Sequence, residues 1–329
     1  MVPKRAGILG LGANLPERVM TNYDLEKIVD TTDEWVRTRT GICERRIVEP
    51  GTPTSTLAAG AAREALRSAS LKATELDLII VATVSPDMLF PATACLVQKK
   101  IGASCPAFDL SAACSGFPYA LAVANGLIVS GGFRNILVIG AEAISGFINW
   151  KDRSTCVLFG DGAGAAIVGV VSGKRNHGIL ATYMGSDGSQ ADLLKIPAGG
   201  SAIPSSEESV RAGLHYVQME GSEVFKAAVR TMCESIVEVL KRAGFGLKDV
   251  DCLIPHQANL RILNAVAERI NFPKEKVYIN LDRYGNMSAA STAVALCEAV
   301  QEGKIKRGSL AVLVAFGSGL TWASCAIRW

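Results

Sequence analysis

The sequence predicts an α/β protein made of two related halves, and three observations lead to this fold class. Short apolar runs that suit buried strands alternate with segments whose apolar residues recur at helical spacing. The chain has 329 residues, of which 49% are hydrophobic and 32 are glycine, so it can bury a large core and form many tight turns. The order of strands, turns and helices in the first half then recurs in the second half.

Strands are predicted in the first half where a short apolar run is bounded by turn residues, at residues 6–11, 76–83, 106–108 and 135–140 and within 156–171. Helices are predicted within residues 21–38 and at residues 55–69, 94–100 and 118–129. Gly7, Gly10 and Gly12 do not indicate a dinucleotide loop, because a turn and not a helix follows them. The glycine cluster at residues 160–164 lacks the Gly-Lys-Ser/Thr of a phosphate loop and predicts a tight turn before a strand.

The second half repeats this plan after a polar, Gly- and Ser-rich stretch at residues 174–213, which we interpret as a connection. Helices are predicted at residues 221–243, 258–270 and 288–300, and strands at residues 251–254, 277–280 and 311–316. Three pairs of matching positions lie 174, 172 and 175 residues apart: Asp77 and Asp251, Cys114 and Asn286, and Ile136 and Ala311. An internal duplication explains these offsets, so we predict two mixed-sheet domains, residues 1–172 and 173–329.

Charge and composition argue against several classes of protein. The net charge of +3 creates no overall field that would favour nucleic acid as a partner. The nine cysteines are dispersed and form no Cys-x-x-Cys pair, which indicates reduced thiols in a cytosolic protein and not a disulfide framework. The three histidines lack the spacing of metal ligands, so no metal site is predicted.

Neither a secretion signal nor a membrane span is predicted. The first residues lead directly into a glycine-rich apolar segment and lack the apolar core and cleavage site of a signal peptide. Residues 309–327 are uncharged and about as long as a membrane span. Gly317-Ser318-Gly319 interrupts them, and both arms are rich in strand-type residues. We therefore predict two buried strands here, and a cytoplasmic protein.

Cys114 is the candidate nucleophile. It lies in the sequence Asp-Leu-Ser-Ala-Ala-Cys-Ser-Gly-Phe (109–117), at a predicted turn between a strand and a helix. A helix N-terminus offers free N–H groups and partial positive charge, which favour a thiolate over a thiol. The alternative is a cysteine that is simply buried in the core, as free cysteines commonly are.

His256 and Asn286 are the candidate partners of this cysteine. His256 follows a buried strand and precedes a helix, so its side chain can point from a strand end into a cleft. Asn286 lies in the turn that matches the Cys114 turn in the other half. The alternatives are a structural histidine and an asparagine that caps a helix, a role that Ser288 can fill equally well.

The three side chains together suit acyl transfer through a thioester followed by reaction with a carbanion. Cysteine is nucleophilic near neutral pH and its thioester stays reactive. A neutral histidine and an asparagine can each donate a hydrogen bond to the carbonyl oxygen of a second substrate and stabilise an enolate. No carboxylate base is needed if decarboxylation generates the carbanion, and backbone N–H groups near Cys114 and in Gly317-Ser318-Gly319 can form an oxyanion hole for the acyl step.

Trp35 is a candidate ligand-binding residue near the N-terminus. It follows Thr31-Thr32-Asp33-Glu34, which is typical of a helix start, and precedes Arg37 and Arg39. An aromatic ring near two guanidinium groups can stack on and pair with a nucleotide-like ligand. The alternative is a surface tryptophan that covers the edge of the core.

Seven motifs in order resemble the β-ketoacyl-acyl-carrier-protein synthase III family of the thiolase-like condensing enzymes, over essentially the whole chain. They are Thr-Asp-Glu-Trp (32–35), Arg-Thr-Gly-Ile (39–42), Ala-Ala-Cys-Ser-Gly-Phe (112–117), Phe-Gly-Asp-Gly-Ala-Gly-Ala (159–165), Pro-His-Gln-Ala-Asn (255–259), Gly-Asn-Met-Ser-Ala-Ala-Ser (285–291) and Gly-Ser-Gly-Leu-Thr-Trp (317–322). The Cys-His-Asn set separates the chain from elongating synthases, which resemble Cys-His-His, and from thiolases, which carry a second cysteine.

The resemblance implies a five-layer αβαβα fold, a homodimer and a reaction in two stages. An acyl-CoA, commonly with an acetyl or short branched acyl group, loads Cys114 and releases CoA. Malonyl-acyl-carrier-protein then loses CO2 while His256 and Asn286 hold its thioester oxygen, and the enolate attacks the acyl group to give 3-oxoacyl-acyl-carrier-protein. CoA thioesters are substrates in this scheme, and no cofactor is implied. The pathway is initiation of type II fatty-acid synthesis.

The resemblance also implies roles for residues outside the catalytic three. Trp35 and Arg153 resemble the pair that sandwiches the CoA adenine, and the N–H of Ser318 completes the oxyanion hole with that of Cys114. Phe90 resembles a residue that is lent across the dimer to the acyl pocket. The residues expected to line the CoA and pantetheine tunnel are Thr31, Arg39, Phe225 and Asn259. The family more often has Gly-Gly-Gly where Ser318 is central here, a change that keeps the backbone donor.

Docking of the acidic carrier protein is expected at Lys226 and Arg261, with Arg230 and Arg269 as further candidates, and the alternative is a solvated helix face.

Two other functions stay open from the sequence. One is a related priming synthase, for polyketides, for long-chain head-to-head condensation or for hydroxymethylglutaryl-CoA; the last usually has an acidic base near the nucleophile, and no motif here indicates one. The other is a silent ketosynthase partner subunit, which Cys114 argues against.

Overall fold

A computed structural model describes residues 5–171 and 177–329 of the chain. The strands in these residues are β1 (Arg5–Asn14), β2 (Val19–Thr21), β3 (Glu44–Arg46), β4 (Leu78–Ala82), β5 (Ala107–Leu110), β6 (Asn135–Glu142), β7 (Gly162–Val171), β8 (Gly178–Ser186), β9 (Leu194–Lys195), β10 (Gln218–Met219), β11 (Cys252–Pro255), β12 (Leu310–Gly317) and β13 (Thr321–Arg328). The α-helices are α1 (Asn22–Leu25), α2 (Asp33–Thr40), α3 (Thr54–Ala69), α4 (Thr93–Ile101), α5 (Gly116–Val129), α6 (Arg153–Cys156), α7 (Glu207–Arg211), α8 (Gly221–Ala243), α9 (Leu260–Arg269), α10 (Leu281–Tyr284) and α11 (Ala289–Gln301).

Two mixed sheets form the framework, and they have the same plan. The first has the strand order β1-β7-β6-β4-β5 and the second has the order β11-β12-β13-β8. In the first sheet β4 is parallel to both β5 and β6, and in the second β11 is parallel to β12. In each sheet the two remaining strands, β7 and β1 or β13 and β8, continue antiparallel. This repetition confirms the mixed-sheet duplication that the sequence predicts.

The helices and sheets form five layers in the order αβαβα. The central core joins apolar residues of α5 and α11 to the inner faces of both sheets. A second core packs α3 and α4 on the outer face of the first sheet, and a third packs α8 and α9 on the outer face of the second sheet. The predicted fold class is therefore confirmed.

The strand β4 illustrates why the buried strands have continuous apolar sequences. Leu78, Ile80 and Ala82 face the central core, whereas Ile79 and Val81 face the outer helices α3 and α4. Successive side chains of a strand point to opposite faces, so a strand between two helical layers needs an apolar residue at every position. The same alternation divides β12 between the central core and the outer core of the second sheet.

Two sequence-based assignments are wrong, those of residues 174–213 and 277–280. The predicted connection contains β8, a nine-residue strand that is the counterpart of β1. It forms an edge of its sheet and is mostly half-buried, so its apolar pattern is weak. The segment 277–280 forms only an isolated bridge between Leu253 and Val277. The segment 21–38 contains two short helices, α1 and α2; the predicted cap is present, since the hydroxyl of Thr32 accepts from the N–H of Trp35.

The backbone also corrects the register of the duplication near the active centre. Ala113 and Ser288 both have φ of 46°, a left-handed value that is rare for residues other than glycine. Each lies shortly before a central helix, and they are 175 residues apart, which matches the offset of β6 and β12. The equivalent of Cys114 is therefore Ala289, and Asn286 belongs to the preceding segment. The predicted domain boundary at residues 172 and 173 lies outside the described residues.

None of the described helices is both long and apolar enough to cross a membrane. Within residues 5–171 and 177–329, no group of three or more His, Cys, Asp or Glu side chains could hold a metal ion.

Candidate active site

The carboxyl ends of the parallel strands of both sheets meet at one centre. In the first sheet β5 leads to Cys114 and β6 ends at Glu142. In the second sheet β11 leads to His256 and β12 ends at Gly317. In open α/β sheets this edge is the usual place for a ligand site.

Cys114 lies in a single 3-10 turn, Ala113–Ser115, which continues directly into α5. Its side chain is buried, and the left-handed backbone at Ala113 turns the chain so that the thiol faces the shared centre. Burial raises the pKa of the Cys114 thiol to about 12, and the nearby Glu142 contributes to this increase. Desolvation therefore opposes the thiolate that the helix N-terminus favours.

His256 is a buried, neutral imidazole. Its backbone N–H donates to the carbonyl of Val314 in β12 at 2.7 Å, which fixes the residue at the junction of the two parallel strands. Burial lowers the pKa of His256 to about 3. Its Nδ1 is buried without a hydrogen-bond partner among the described residues. A neutral imidazole carries one N–H and one acceptor nitrogen, so His256 can donate a hydrogen bond to a substrate oxygen.

Asn286 is held by its backbone and by its own amide oxygen. Its N–H donates to the carbonyl of Leu158 at 2.8 Å, and its carbonyl accepts from the N–H of Gly160 at 3.0 Å. Its Oδ1 accepts from the N–H of Ser288 at 2.9 Å, which leaves the Nδ2 amide without a partner in the described chain. Gly160 is required at this contact because a Cβ there would lie 2.3 Å from the carbonyl oxygen of Tyr284.

The loop between β12 and β13 contacts the backbone of Cys114. A Cβ on Gly317 would lie 2.6 Å from the backbone N of Cys114, so only glycine allows the two backbones to approach so closely. Ser318 lines the same cavity as Cys114, and its hydroxyl donates to the carbonyl of Leu194. The Ser318 side chain is thus turned to the loop, which is compatible with a backbone role for this residue.

Cys114 lies at the junction of two cavities. One cavity, of about 210 Å³, is lined by Cys114, His256 and Asn286 at its inner end and reaches Trp35 and Arg153. We call this cavity the tunnel. The other cavity, of about 390 Å³, also contains Cys114 and is walled mainly by apolar residues, among them Val84, Ile144, Phe159, Ile196 and Val217. We call it the acyl cavity. The geometry brings together the three residues that the sequence selected, and it adds a second cavity that the sequence did not predict.

The outer end of the tunnel has an aromatic ring between two cations. The guanidinium of Arg153 lies 4.7 Å and that of Arg39 5.7 Å from the centre of the Trp35 ring. Arg153 is further held by a 2.8 Å hydrogen bond to the backbone carbonyl of Asp30. The tunnel lining includes Trp35, Arg39, Arg153, Phe225 and Asn259. Such a site suits a flat, negatively charged ligand.

One wall of the tunnel is a contact between α2 and α9. The side chain of Asn259 donates from Nδ2 to the carbonyl of Arg39 at 3.2 Å and accepts from the N–H of Arg261 to cap α9. Leu260 packs against Gly41, where a Cβ would lie 2.5 Å away. Asn259 is thus mainly a structural residue of the wall. Thr31 precedes α2 and is not part of the tunnel lining, and its hydroxyl is buried without a partner within the described residues.

Besides Thr31, the predicted residues Phe90, Lys226 and Arg261 lie outside both cavities. Phe90 is 84% exposed, in a loop with the exposed Met88 and Leu89. Lys226 and Arg261 are exposed, and each is next in sequence to a tunnel residue, Phe225 or Ile262. Lys226 also forms an ion pair of 2.7 Å with Glu223 on its own helix.

The sequence interpretation missed Glu142, Ser288 and the buried Arg45. Glu142 is a single acid at the end of an apolar strand, the same position in a strand that drew attention to His256. Arg45 is fully buried and donates to the carbonyl of Val157, just before the segment that holds Asn286. Burial lowers the pKa of Arg45 to about 10. Neither residue belongs to a motif. Glu142 follows an apolar run, which was a signal available in the sequence, whereas Arg45 lies between Glu44 and Arg46 and has no such signal.

The fold and the site define a thiol-dependent condensing acyltransferase. The family profile described as 3-oxoacyl-[acyl-carrier-protein] synthase III matches residues 108–188, and its C-terminal profile matches residues 240–329. A β-ketoacyl-[acyl-carrier-protein] synthase III of Caldanaerobacter subterraneus subsp. tengcongensis is 57% identical over 98% of both chains. The chain belongs to the 3-oxoacyl-[acyl-carrier-protein] synthase III family, the condensing enzymes that initiate fatty-acid synthesis.

Solved structures agree with this assignment. The 3-oxoacyl-[acyl-carrier-protein] synthase III of Aquifex aeolicus has a TM-score of 0.90 and 52% identity, over 98% of this chain and all of that one. The enzyme of Pseudomonas aeruginosa has a TM-score of 0.91 and 41% identity, over 99% of this chain and 98% of that one. These structures have the thiolase-like fold that the resemblance implied.

Proposed function

We propose that Cys114 accepts an acyl group from acyl-CoA and that His256 and Asn286 then promote its decarboxylative condensation with malonyl-acyl-carrier-protein. The products are 3-oxoacyl-acyl-carrier-protein, CO2 and CoA. The observation that carries this proposal is the position of Cys114 between the tunnel and the acyl cavity. A thioester carbonyl at Cys114 can have its alkyl chain in one cavity while the other admits a pantetheine arm.

The two steps need hydrogen-bond donors at two different places. The N–H groups of Cys114 and Ser318 are the proposed oxyanion hole for the tetrahedral intermediates on the acyl carbonyl. The imidazole of His256 and the amide of Asn286 are proposed to bind the thioester oxygen of the malonyl group, where negative charge develops as CO2 leaves. Both groups are neutral donors, and the amide of Asn286 is oriented by its bond to the N–H of Ser288.

An assay of the separate half-reactions tests the function. The protein is incubated with acetyl-CoA and with longer and branched acyl-CoAs, and the acylated peptide is located by mass spectrometry. Malonyl-acyl-carrier-protein is then added, and the ketoacyl product is measured. An acyl adduct on a residue other than Cys114, or no adduct with any acyl-CoA, would contradict the proposal.

The adenine end of CoA is proposed to stack on Trp35, with Arg153 and Arg39 beside it. Loss of the ring in Trp35→Ala removes contacts worth about 1–2 kcal/mol, so KM for acetyl-CoA should rise about tenfold while kcat changes little. Steady-state kinetics measure this effect. Trp150→Ala serves as the matched control, because Trp150 lies outside the tunnel. An equal loss of kcat in Trp35→Ala would contradict a role restricted to binding.

Carrier-protein docking is proposed at Arg261, with Lys226 nearby, because both lie beside tunnel residues on exposed helix surfaces. Reversal of charge in Arg261→Glu should lower kcat/KM for malonyl-acyl-carrier-protein and weaken its dependence on salt, whereas loading from acetyl-CoA should change little. Lys274→Glu is the control, since Lys274 pairs with Glu268 away from the tunnel lining. Equal losses in the two half-reactions would argue against docking at this surface.

A homodimer is proposed from two exposed features of the first half. The strand β5 lies at an edge of its sheet with unpaired backbone groups. The loop that contains Leu89 and Phe90 exposes 79% and 84% of these two residues, which is unusual for apolar side chains in a monomer. Contact with a second copy would cover both, and it would allow Phe90 to reach the acyl cavity of the partner.

The remaining features are also proposals. The boundary between the duplicated halves is proposed to lie near residues 172–173. The reaction is proposed to need no cofactor, since the CoA and carrier-protein thioesters are its substrates. The enzyme is proposed to be cytoplasmic. The dispersed cysteines support the last point, and the nine of them are unpaired thiols in the structure.

Fatty-acid synthesis is favoured over polyketide priming by the degree of similarity. A priming β-ketosynthase from a polyketide biosynthetic pathway shares the fold with a TM-score of 0.91 but has 35% identity. Eight relatives with 50–57% identity are named β-ketoacyl-[acyl-carrier-protein] synthase III. Use of the organism's fatty-acid carrier protein in the second half-reaction would support this choice.

A further inference from the structure

The carboxylate of Glu142 is buried behind the nucleophile, at the carboxyl end of β6. It is fully shielded from solvent, and it forms no ion pair with a cation in the described chain. Four donors in the loop after β4 hold it: the hydroxyls of Thr83 and Ser85 at 3.1 and 2.5 Å, and the N–H groups of Val84 and Ser85 at 3.1 Å. The N–H of Ala289, at the start of α11, lies 3.4 Å from its other oxygen.

Ser288 lies next to both this carboxylate and Cys114. The residue is buried and lines the acyl cavity together with Cys114. Its hydroxyl is close enough to both groups to stabilise their charged forms and to lower the pKa of Cys114 and of Glu142. Its Oγ nevertheless forms no hydrogen bond of standard geometry among the described residues. A buried hydroxyl without such a bond is costly, and the left-handed backbone of Ser288 adds to the cost.

We propose that Ser288 and Glu142 form a proton relay that takes the thiol proton of Cys114 during acylation and returns it after condensation. The inference rests on the proposed function, because it supplies the base for the loading step. Ser288 lines the acyl cavity beside the reacting sulfur, and Glu142 acts through Ser288. The unused hydrogen-bonding capacity of the Ser288 hydroxyl and its position between a buried acid and a buried thiol carry the proposal.

The relay answers a need that the pKa values define. With a thiol pKa of about 12, Cys114 has almost no thiolate at neutral pH, so a base must remove the proton as the sulfur attacks. His256 is a poor base because burial lowers its pKa to about 3. Burial raises the pKa of Glu142 to about 7, although the hydrogen bonds to its carboxylate lower this pKa. Glu142 is therefore a stronger base than His256.

The proton balance of the two half-reactions closes with this relay. In loading, the Cys114 proton passes through the Ser288 hydroxyl to the Glu142 carboxylate, the sulfur bonds to the acyl carbon, and the leaving CoA thiolate takes a proton from water. In condensation, the enolate carbon bonds to the acyl carbon and Cys114 leaves as a thiolate. The proton held on Glu142 then returns through Ser288 to this thiolate. The sum consumes one proton from solvent, as the overall reaction requires.

No other charged group competes for this role among the elements that surround Glu142. The loop after β4 and the start of α11 present hydroxyls and N–H groups to it, and the Cys114 turn presents the thiol. The acids of adjoining loops are engaged elsewhere, Asp87 with Ser55 and Asp161 with Ser145. The pH dependence of acylation near neutrality should therefore report Glu142.

Ser288→Ala and Glu142→Gln test the relay by single-turnover acylation with acetyl-CoA between pH 5.5 and 9. In the wild type the rate should rise through about pH 7 and level off, because Glu142 accepts a proton only when it is ionised. In both variants this rise should be absent, with a loss of about a hundredfold at pH 8 and a much smaller loss at pH 5.5. Alkylation of Cys114 by iodoacetamide should show the same difference, and it needs no CoA site.

The control is Thr292→Ala, which removes a buried hydroxyl of α11 that also lacks a partner within the described residues. It should keep the wild-type pH profile. If Ser288→Ala loses the same factor at every pH, or keeps the wild-type profile, the relay is wrong. Ser288→Ala leaves the bonds from Thr83, Val84 and Ser85 to Glu142 in place, so it stays informative if Glu142→Gln fails to fold. If the wild type forms no acyl adduct, the proposed function fails, and the iodoacetamide profile still decides on the relay.

Discussion

Replacement of Cys114 by alanine should abolish acylation by acetyl-CoA and lower formation of ketoacyl product by at least about a thousandfold. The sulfur of Cys114 is the atom proposed to bond to the acyl group, and no other described cysteine lines either cavity. Decarboxylation of malonyl-acyl-carrier-protein should continue in this variant, because its proposed donors are His256 and Asn286. Peptide mass spectrometry measures the adduct, and release of CO2 measures the decarboxylation.

Cys325→Ala is the matched control for this experiment. Cys325 is also buried, and burial raises the pKa of its thiol to about 12 as well, but it lies within β13 and lines neither cavity. The control should keep full acylation. An acyl adduct in Cys114→Ala would mean that another nucleophile carries the acyl group, and the assignment of Cys114 would have to be abandoned.

The residues proposed as catalytic were predictable because strand ends in α/β sheets converge. Cys114 and His256 each follow a strand that the sequence pattern indicates clearly, and the repeat indicates that their loops meet. Glu142 has the same kind of position, at the end of β6, but it was not recognised as part of the site. A lone acid after Gly140-Ala141 matches no motif, and its proximity to Cys114 depends on the close packing of α11 against β6.

The protonation state of Cys114 was not predictable from sequence. Local reasoning gives the helix dipole, which lowers the pKa of a thiol by a moderate amount. The desolvation that raises the pKa depends on how completely the two sheets and α11 enclose the sulfur, and this is a property of the assembled fold. The strand β8 was missed for a related reason. Its residues are mostly half-buried at the edge of the sheet, so its sequence pattern is weak and only its pairing with β13 identifies it as a strand.

Replacement of His256 or Asn286 by alanine should produce the opposite pattern to Cys114→Ala. Each change removes one neutral donor to the developing enolate, so malonyl decarboxylation and condensation should fall by about 10²–10³ per residue. Acylation of Cys114 should fall much less, because the N–H groups proposed for the acyl carbonyl belong to Cys114 and Ser318. Single-turnover loading followed by addition of malonyl-acyl-carrier-protein separates these two effects. Loss of loading alone would contradict the roles given to both residues.

The pH dependence of condensation distinguishes a neutral donor from a charged one. The folded pKa of His256, about 3, lies below the ordinary value of 6.5, so the unfolded chain binds a proton between these values that the folded protein does not bind. The contribution of the neutral His256 side chain to the stability of the folded protein is therefore fully present above pH 6.5. This contribution is lost as the pH falls from 6.5 towards 3. Condensation should accordingly show no titration of His256 between pH 5 and 9.

His215→Ala is the control for the histidine, because the Nδ1 of His215 is also buried without a partner among the described residues, and His215 lines neither cavity. It should leave both half-reactions unchanged. A condensation rate that falls below pH 6.5 in the wild type and loses this dependence in His256→Ala would show that His256 titrates in the accessible range. The side chain of His256 would then act as a proton carrier. This result would contradict the proposal that His256 is a neutral hydrogen-bond donor and that Glu142 is the base.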